Sequence, residues 1–88
     1  MSLLDQSFNT AVNIVKNLKK RPSDEELLDL YGLYKQSTLG NVNTEKPNIF
    51  YFRERKKWEA WEKYLNLSQE KSKMEYVNMV KKLFDKYN

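Results

Sequence analysis

The sequence predicts an all-α fold of about four helices, and three observations carry that prediction. Two glycines and two prolines in 88 residues leave too few turn formers for a β-sandwich or barrel. Apolar residues recur at gaps of three and four, the period of one helix face, and nowhere alternate with the period of a strand. Serine-led capping signals and chain breakers punctuate the periodic stretches.

The first helix is marked by Leu4, Phe8, Ala11, Val15 and Leu18, with Ser2 and Asp5 placed to cap its start. It is expected to run out at Lys19-Lys20-Arg21-Pro22, where positive charge suits a helix end and proline bars continuation. Ser23-Asp24-Glu25-Glu26 is a capping box, so a second helix starts there and runs toward Leu39, with Gly40 as its stop. Its apolar positions cover more than one stripe, so it meets neighbours on two sides, or a neighbour and a ligand. Residues 40–50 read as a loop, long for a link between adjacent antiparallel helices. A third helix is expected over about 51–65, with Trp58, Trp61 and Leu65 on one face and read as core. After a break at Asn66-Leu67-Ser68, a last helix carries Tyr76, Val77, Val80, Leu83, Phe84 and Tyr87. Phe8, Val12, Val15 and Leu18 are expected to pack against Val77, Val80 and Leu83. The chain reads as one domain over residues 1–88.

Composition narrows the function. There is no cysteine and no histidine, which removes disulfides, thiolate metal sites and every nucleophile that a histidine would activate. An enzyme is therefore not expected, and neither a catalytic nor a metal site is assigned. Lys+Arg 16 against Asp+Glu 12 gives +4, a balance that favours an anionic partner. The cations cluster at Lys19–Arg21 and at Arg53, Arg55, Lys56 and Lys57, and aromatics interleave with them. Tyr31, Tyr34 and Lys35 share one helical face. Cations beside phenol rings suit a phosphate attached to a flat heterocycle. Such lysine runs are more often solvated faces, and tyrosines at helical spacing are more often core edge, so the clusters alone say only that something anionic binds. A basic helical module for nucleic acid or a protein partner is the alternative at this point.

Longer motifs decide further. Pro22-Ser23-Asp24-Glu25-Glu26-Leu27-Leu28, then Leu30-Tyr31-Gly32-Leu33-Tyr34-Lys35-Gln36-Ser37-Thr38-Leu39-Gly40, then Lys57-Trp58-Glu59-Ala60-Trp61 closely resemble the acyl-CoA-binding protein family. Phe8, Val15, Leu18, Pro47, Ser68, Tyr76 and Val80 also fall where that family places apolar and turn positions. The resemblance implies a four-helix up-down-down-up bundle in which the long loop joins two parallel helices. It implies non-catalytic binding of medium- to long-chain fatty acyl-CoA as a carrier and pool buffer. The site it implies comprises Lys16, Tyr31, Gly32, Leu33, Tyr34, Lys35, Arg53, Lys57 and Tyr76. In that pattern Tyr31, Lys35 and Lys57 meet the adenosine 3′-phosphate and adenine, Lys16 and Arg53 lie near the nucleotide phosphates, and Tyr76 lies toward the acyl end. Four positions depart from the family pattern. Arg53 stands for a lysine, Lys56 for a small residue, Leu33 for a polar one and Tyr51 for an acidic one.

No cofactor is expected beyond the acyl-CoA ligand itself. Expected partners are that ligand and acyl-CoA-using enzymes, with no nucleic acid, no membrane span and a monomeric state. Met1-Ser2-Leu3-Leu4-Asp5 lacks a basic, apolar leader and the glycine that myristoylation needs, so a cytoplasmic protein is expected.

Overall fold

The computed structural model describes residues 2–88, which form α1 (Leu3–Lys16), α2 (Asp24–Leu39), α3 (Phe52–Glu62) and α4 (Gln69–Tyr87). Serine starts three of them. The Ser2, Ser23 and Ser68 hydroxyls accept the backbone N–H groups of Asp5, Glu26 and Lys71, satisfying donors that the first helical turn leaves free. At α2 the capping box closes reciprocally, with the Ser23 N–H donating to Glu26 Oε1 at 2.9 Å. Gly40 ends α2 at φ +82°, a left-handed conformation that glycine adopts without steric cost.

Two helices are shorter than the periodicity implies. α1 stops at Lys16 because Asn17 leaves helical geometry and its side-chain amide donates to the Asn13 carbonyl at 2.9 Å, a local bond that competes with the helix ladder. α3 stops at Glu62, and Asn66 takes φ +70°. Leu65 therefore falls past the helix and is exposed.

Contacts give the helix directions. Asp5 pairs with Lys73 at 2.7 Å and Phe8 meets Tyr76 at a ring distance of 5.0 Å. The chain just past α1 reaches the end of α4, where the Lys20 N–H donates to the Tyr87 carbonyl. α1 and α4 are thus parallel. α2 runs against α4: Gln69 Nε2 donates to the Ser37 carbonyl at one end, and Lys86 Nζ meets Glu26 at 3.2 Å at the other. α3 runs with α2, since Leu28 and Phe52 share one groove near both starts and Trp61 meets Gly40 near both ends. The result is the up-down-down-up order, with α4 between α1 and α2, and α2 between α4 and α3.

Phe8, Ala11, Leu30, Leu33, Tyr76, Val80 and Leu83 form the buried core, with Val12, Val15, Leu18 and Val77 packed around it. Truncating such a phenylalanine typically removes ~3–5 kcal/mol, a large part of a small domain's stability. The two tryptophans differ. Trp61 is buried, as expected of a core residue, whereas Trp58 is only partly buried; both also fasten the loop between α2 and α3. The Trp61 indole N–H donates to the Gly40 carbonyl at 2.8 Å, and that of Trp58 donates to the Thr44 carbonyl at 3.0 Å.

At Gly32 the α2 backbone packs closely on α3. A Cβ built there would lie 2.2 Å from the Ala60 carbonyl oxygen, a backbone atom that cannot swing aside. In an ordinary helix interior, glycine to alanine stabilises by up to ~1 kcal/mol. Here Gly32→Ala is expected to destabilise by about 1–3 kcal/mol, as overpacking does. Urea denaturation checks the sign, and a stabilised variant would show that the helices can part freely.

Glu26 generates a pH prediction. The Tyr87 hydroxyl donates to it at 2.5 Å. That bond foremost, and the Ser23 N–H after it, hold its carboxyl down to about 2 from an ordinary 4.5. A lowered pKa stabilises above the ordinary value and is lost as pH falls through the folded one. The stability difference between wild type and Glu26→Gln should therefore be full above about pH 4.5 and fade toward about pH 2. A difference constant across that window, measured by urea titrations at each pH, would contradict the linkage.

Candidate functional site

Successive residues of α2 turn by about 100°, and residues 31–35 use that rotation to face four environments. Tyr31 and Lys35, four apart, share the outward face toward α3. Gly32 turns onto the α3 backbone. Leu33 points inward and is 3% exposed. Tyr34 turns the other way, its ring 5.9 Å from Phe8 and 6.3 Å from Tyr76.

The tyrosine at the centre is flanked by two ammonium groups. Lys35 Nζ lies 5.7 Å from the Tyr31 ring centroid, and Lys57 Nζ, coming from α3, lies 5.5 Å from the same ring. Lys35 Nζ also sits 5.5 Å from the Trp61 ring. Rings at this range attract the cations and hold them where an anion can meet both. Neither lysine makes an ion pair among the described residues, so their charge is uncompensated by protein. Burial pushes the Tyr31 phenol up from its ordinary pKa, which keeps it neutral and able to donate.

Next to this cluster, a groove of about 540 Å³ runs between α2 and α3. Leu27, Leu28 and Phe52 supply apolar wall, and Arg53, Lys56 and Lys57 supply the cationic rim. An apolar trough ending in cations suits an amphiphile with an anionic head. A larger groove of about 700 Å³ lies along α1 and α4, with Leu3, Ile14, Val80 and Phe84 among its walls. Its charged residues are one lysine and one aspartate, Lys81 and Asp85, so it offers no surplus positive charge to a phosphorylated ligand.

The structure brings together Tyr31, Lys35, Arg53 and Lys57 of the expected residues. Tyr34 and Tyr76 form a second group around Phe8. Tyr76 is buried, and burial first, then the nearby Tyr34, push its phenol up to about 12, so it too stays protonated. Lys16 ends α1, exposed, with no hydrogen bond or ion pair to the others among the described residues. Gly32 lies against the α3 backbone and Leu33 lies in the core. Residues that the expected set lacks are Leu27, Leu28, Phe52 and Trp61. The double apolar stripe of α2 was the available signal for the leucines. Trp61 is buried as its spacing predicted, but nothing in that spacing reported that it also fastens a loop carbonyl beside a lysine.

Comparison with known proteins identifies the family. Residues 5–80 match the family model for acyl CoA binding protein. The chain is 45% identical over 86 residues to Acyl-CoA-binding protein 2 of Saccharomyces pastorianus, covering 98% of this chain and 99% of the relative. It is 44% identical over 86 residues to the acyl-CoA-binding protein of Saccharomyces cerevisiae, with 98% and 99% covered. The crystal structure of Oryza sativa Acyl-CoA-Binding Protein 2 aligns at a TM-score of 0.90 and 38% identity, over 94% of this chain and 90% of that one. With likeness along its whole length, in sequence and in helix arrangement alike, this chain belongs to the acyl-CoA-binding protein family.

Proposed function

We propose that the chain as a whole is one binding unit that carries and buffers medium- to long-chain fatty acyl-CoA inside the cell, without reacting with it. The observation that carries this reading is the Tyr31 ring held between Lys35 and Lys57 beside an apolar groove. Tyr31, Lys35 and Lys57 grip the phosphorylated adenosine, Arg53 reaches the remaining phosphates, and the groove between α2 and α3 takes the acyl chain. Tyr34 and Tyr76, grouped with Phe8 on the other side of α2, brace that helix and do not line the groove. The relatives' names, which specify binding, and the lack of histidine and cysteine support a carrier over an enzyme. We place the carrier in the cytoplasm as a monomer; among the described residues no helix is long and apolar enough to cross a membrane.

Magnitudes divide the work. Exposed ion pairs contribute ~0–1 kcal/mol each and are screened by salt, so the cations alone hold CoA weakly. Each buried CH₂ contributes ~0.8 kcal/mol, so a palmitoyl-sized chain can supply at most on the order of 10 kcal/mol, less several for the ordering that association demands. The chain therefore sets affinity and the head group sets identity.

Calorimetry with palmitoyl-CoA, free CoA and free palmitate tests this. Palmitoyl-CoA should bind far more tightly than either fragment, and equal affinity for CoA and palmitoyl-CoA would refute the division. Lys35→Ala should weaken palmitoyl-CoA binding by roughly one to a few kcal/mol, the scale of a charge-assisted bond, with little change in the thermal midpoint of the free protein. A midpoint that fell while affinity held would make Lys35 a structural residue.

A further inference from the structure

Four consecutive apolar side chains stand in solvent where the long loop enters α3. Ile49, Phe50, Tyr51 and Phe52 are 58%, 85%, 63% and 68% exposed. A contiguous apolar surface of this kind marks a place where something docks. The segment is held in position. Asn48 Oδ1 accepts the Phe50 N–H at 3.0 Å and the Asn48 carbonyl accepts the Tyr51 N–H at 2.9 Å, closing a turn of the Asx type. Arg55 Nη1 donates to the Pro47 carbonyl at 2.9 Å. Tyr51 occupies the N-cap of α3 and makes no cap bond, at a position where Ser, Asp or Asn would stabilise the helix. The helix forgoes that stabilisation while displaying an aromatic ring.

Charge identifies the occupant. Arg53, Arg55, Lys56 and Lys57 follow the apolar run, with Glu54 the one acid among them. Arg53, Lys56 and Lys57 make no ion pair among the described residues. Exposed aromatic side chains followed directly by cations that pair with no acid match a surface that is anionic in its outer plane and apolar just beneath. We propose that Ile49, Phe50, Tyr51 and Phe52 form a knob that docks the protein reversibly on anionic lipid bilayers. Phe52 and Arg53 also line the groove between α2 and α3, so docking turns the mouth of that groove toward the lipid. An acyl chain could then pass between bilayer and groove with little exposure to water. That consequence rests on the acyl-CoA reading; the docking itself does not.

The test is co-sedimentation of the ligand-free full chain with vesicles of phosphatidylcholine alone or mixed with phosphatidylserine, at low and high salt. Wild type should sediment with the mixed vesicles at low salt, and much less with phosphatidylcholine or at high salt. The double variant Phe50→Ser, Tyr51→Asp should lower the bound fraction about tenfold or more, because it removes two inserting rings. Its thermal midpoint and palmitoyl-CoA affinity should stay near wild type. Failure of wild type to sediment, or equal sedimentation of the variant, would overturn the proposal. Loss of palmitoyl-CoA affinity in the variant would place the knob in the ligand site and overturn it as a separate docking surface. Wild type that sediments but does not bind palmitoyl-CoA would leave the docking standing and defeat the ligand reading.

Discussion

α2 and α3 come into close backbone contact where Gly32 meets Ala60, and the binding architecture depends on it. Two parallel helices have no short turn to hold them together; their link is the loop over residues 40–51. What brings them close is a missing side chain. With no Cβ at residue 32, the α3 backbone comes near enough for Lys57 to reach across to the Tyr31 ring. The pairing of Lys57 with Lys35 around one phenol is therefore a product of packing. Two like charges gathered on one ring repel each other in the free protein, and the aromatic faces and water moderate that repulsion. A bound phosphate would relieve it.

Fasteners on either side keep that approach in register. Lys63 of the turn after α3 meets Asp29 of α2 at 2.8 Å. Both indoles hold loop carbonyls. Gln36, 1% exposed, donates to Asn41 Oδ1 and to the Leu67 carbonyl, each at 2.8 Å, while the same Asn41 oxygen accepts the Asn66 N–H at 2.7 Å. The two connections flanking α3 are thus joined to each other through α2. On the other side of α2, the Phe8–Tyr34–Tyr76 ring cluster and the Glu26–Tyr87 bond tie it to α1 and α4. α2 is consequently the shared wall of core and groove, and its residue order distributes the two tasks by rotation alone.

That distribution explains how much could be read in advance. The three serine caps and the Gly40 stop were legible, because capping needs only residues three apart. The existence of four helices was legible from periodicity, and the helix order came from the family resemblance. Tyr31, Lys35 and Lys57 converge as that resemblance implied. The ends of α1 and α3 were not legible, since the Asn17 side-chain bond and the left-handed Asn66 are local choices that hydrophobic spacing does not report. The packing of Gly32 and Leu33 was not legible for a different reason. A motif names a run of residues, but a helix turns each one to a new neighbour, and only the opposing Ala60 backbone reveals which of them is used for packing. Trp58, expected in the core, is only partly buried, because an indole that fastens a loop carbonyl and one buried in the core look alike in a sequence.

The central claim is that the ligand lies between α2 and α3 with its head at the Tyr31 cluster. It is tested most directly by titrating the isotopically labelled protein with palmitoyl-CoA and following every backbone and aromatic resonance. The account predicts that the largest shifts gather at Leu28, Tyr31, Lys35, Arg53 and Lys57. Shifts concentrated instead at Leu3, Ile14, Val80 and Phe84, along the larger groove of α1 and α4, would contradict it.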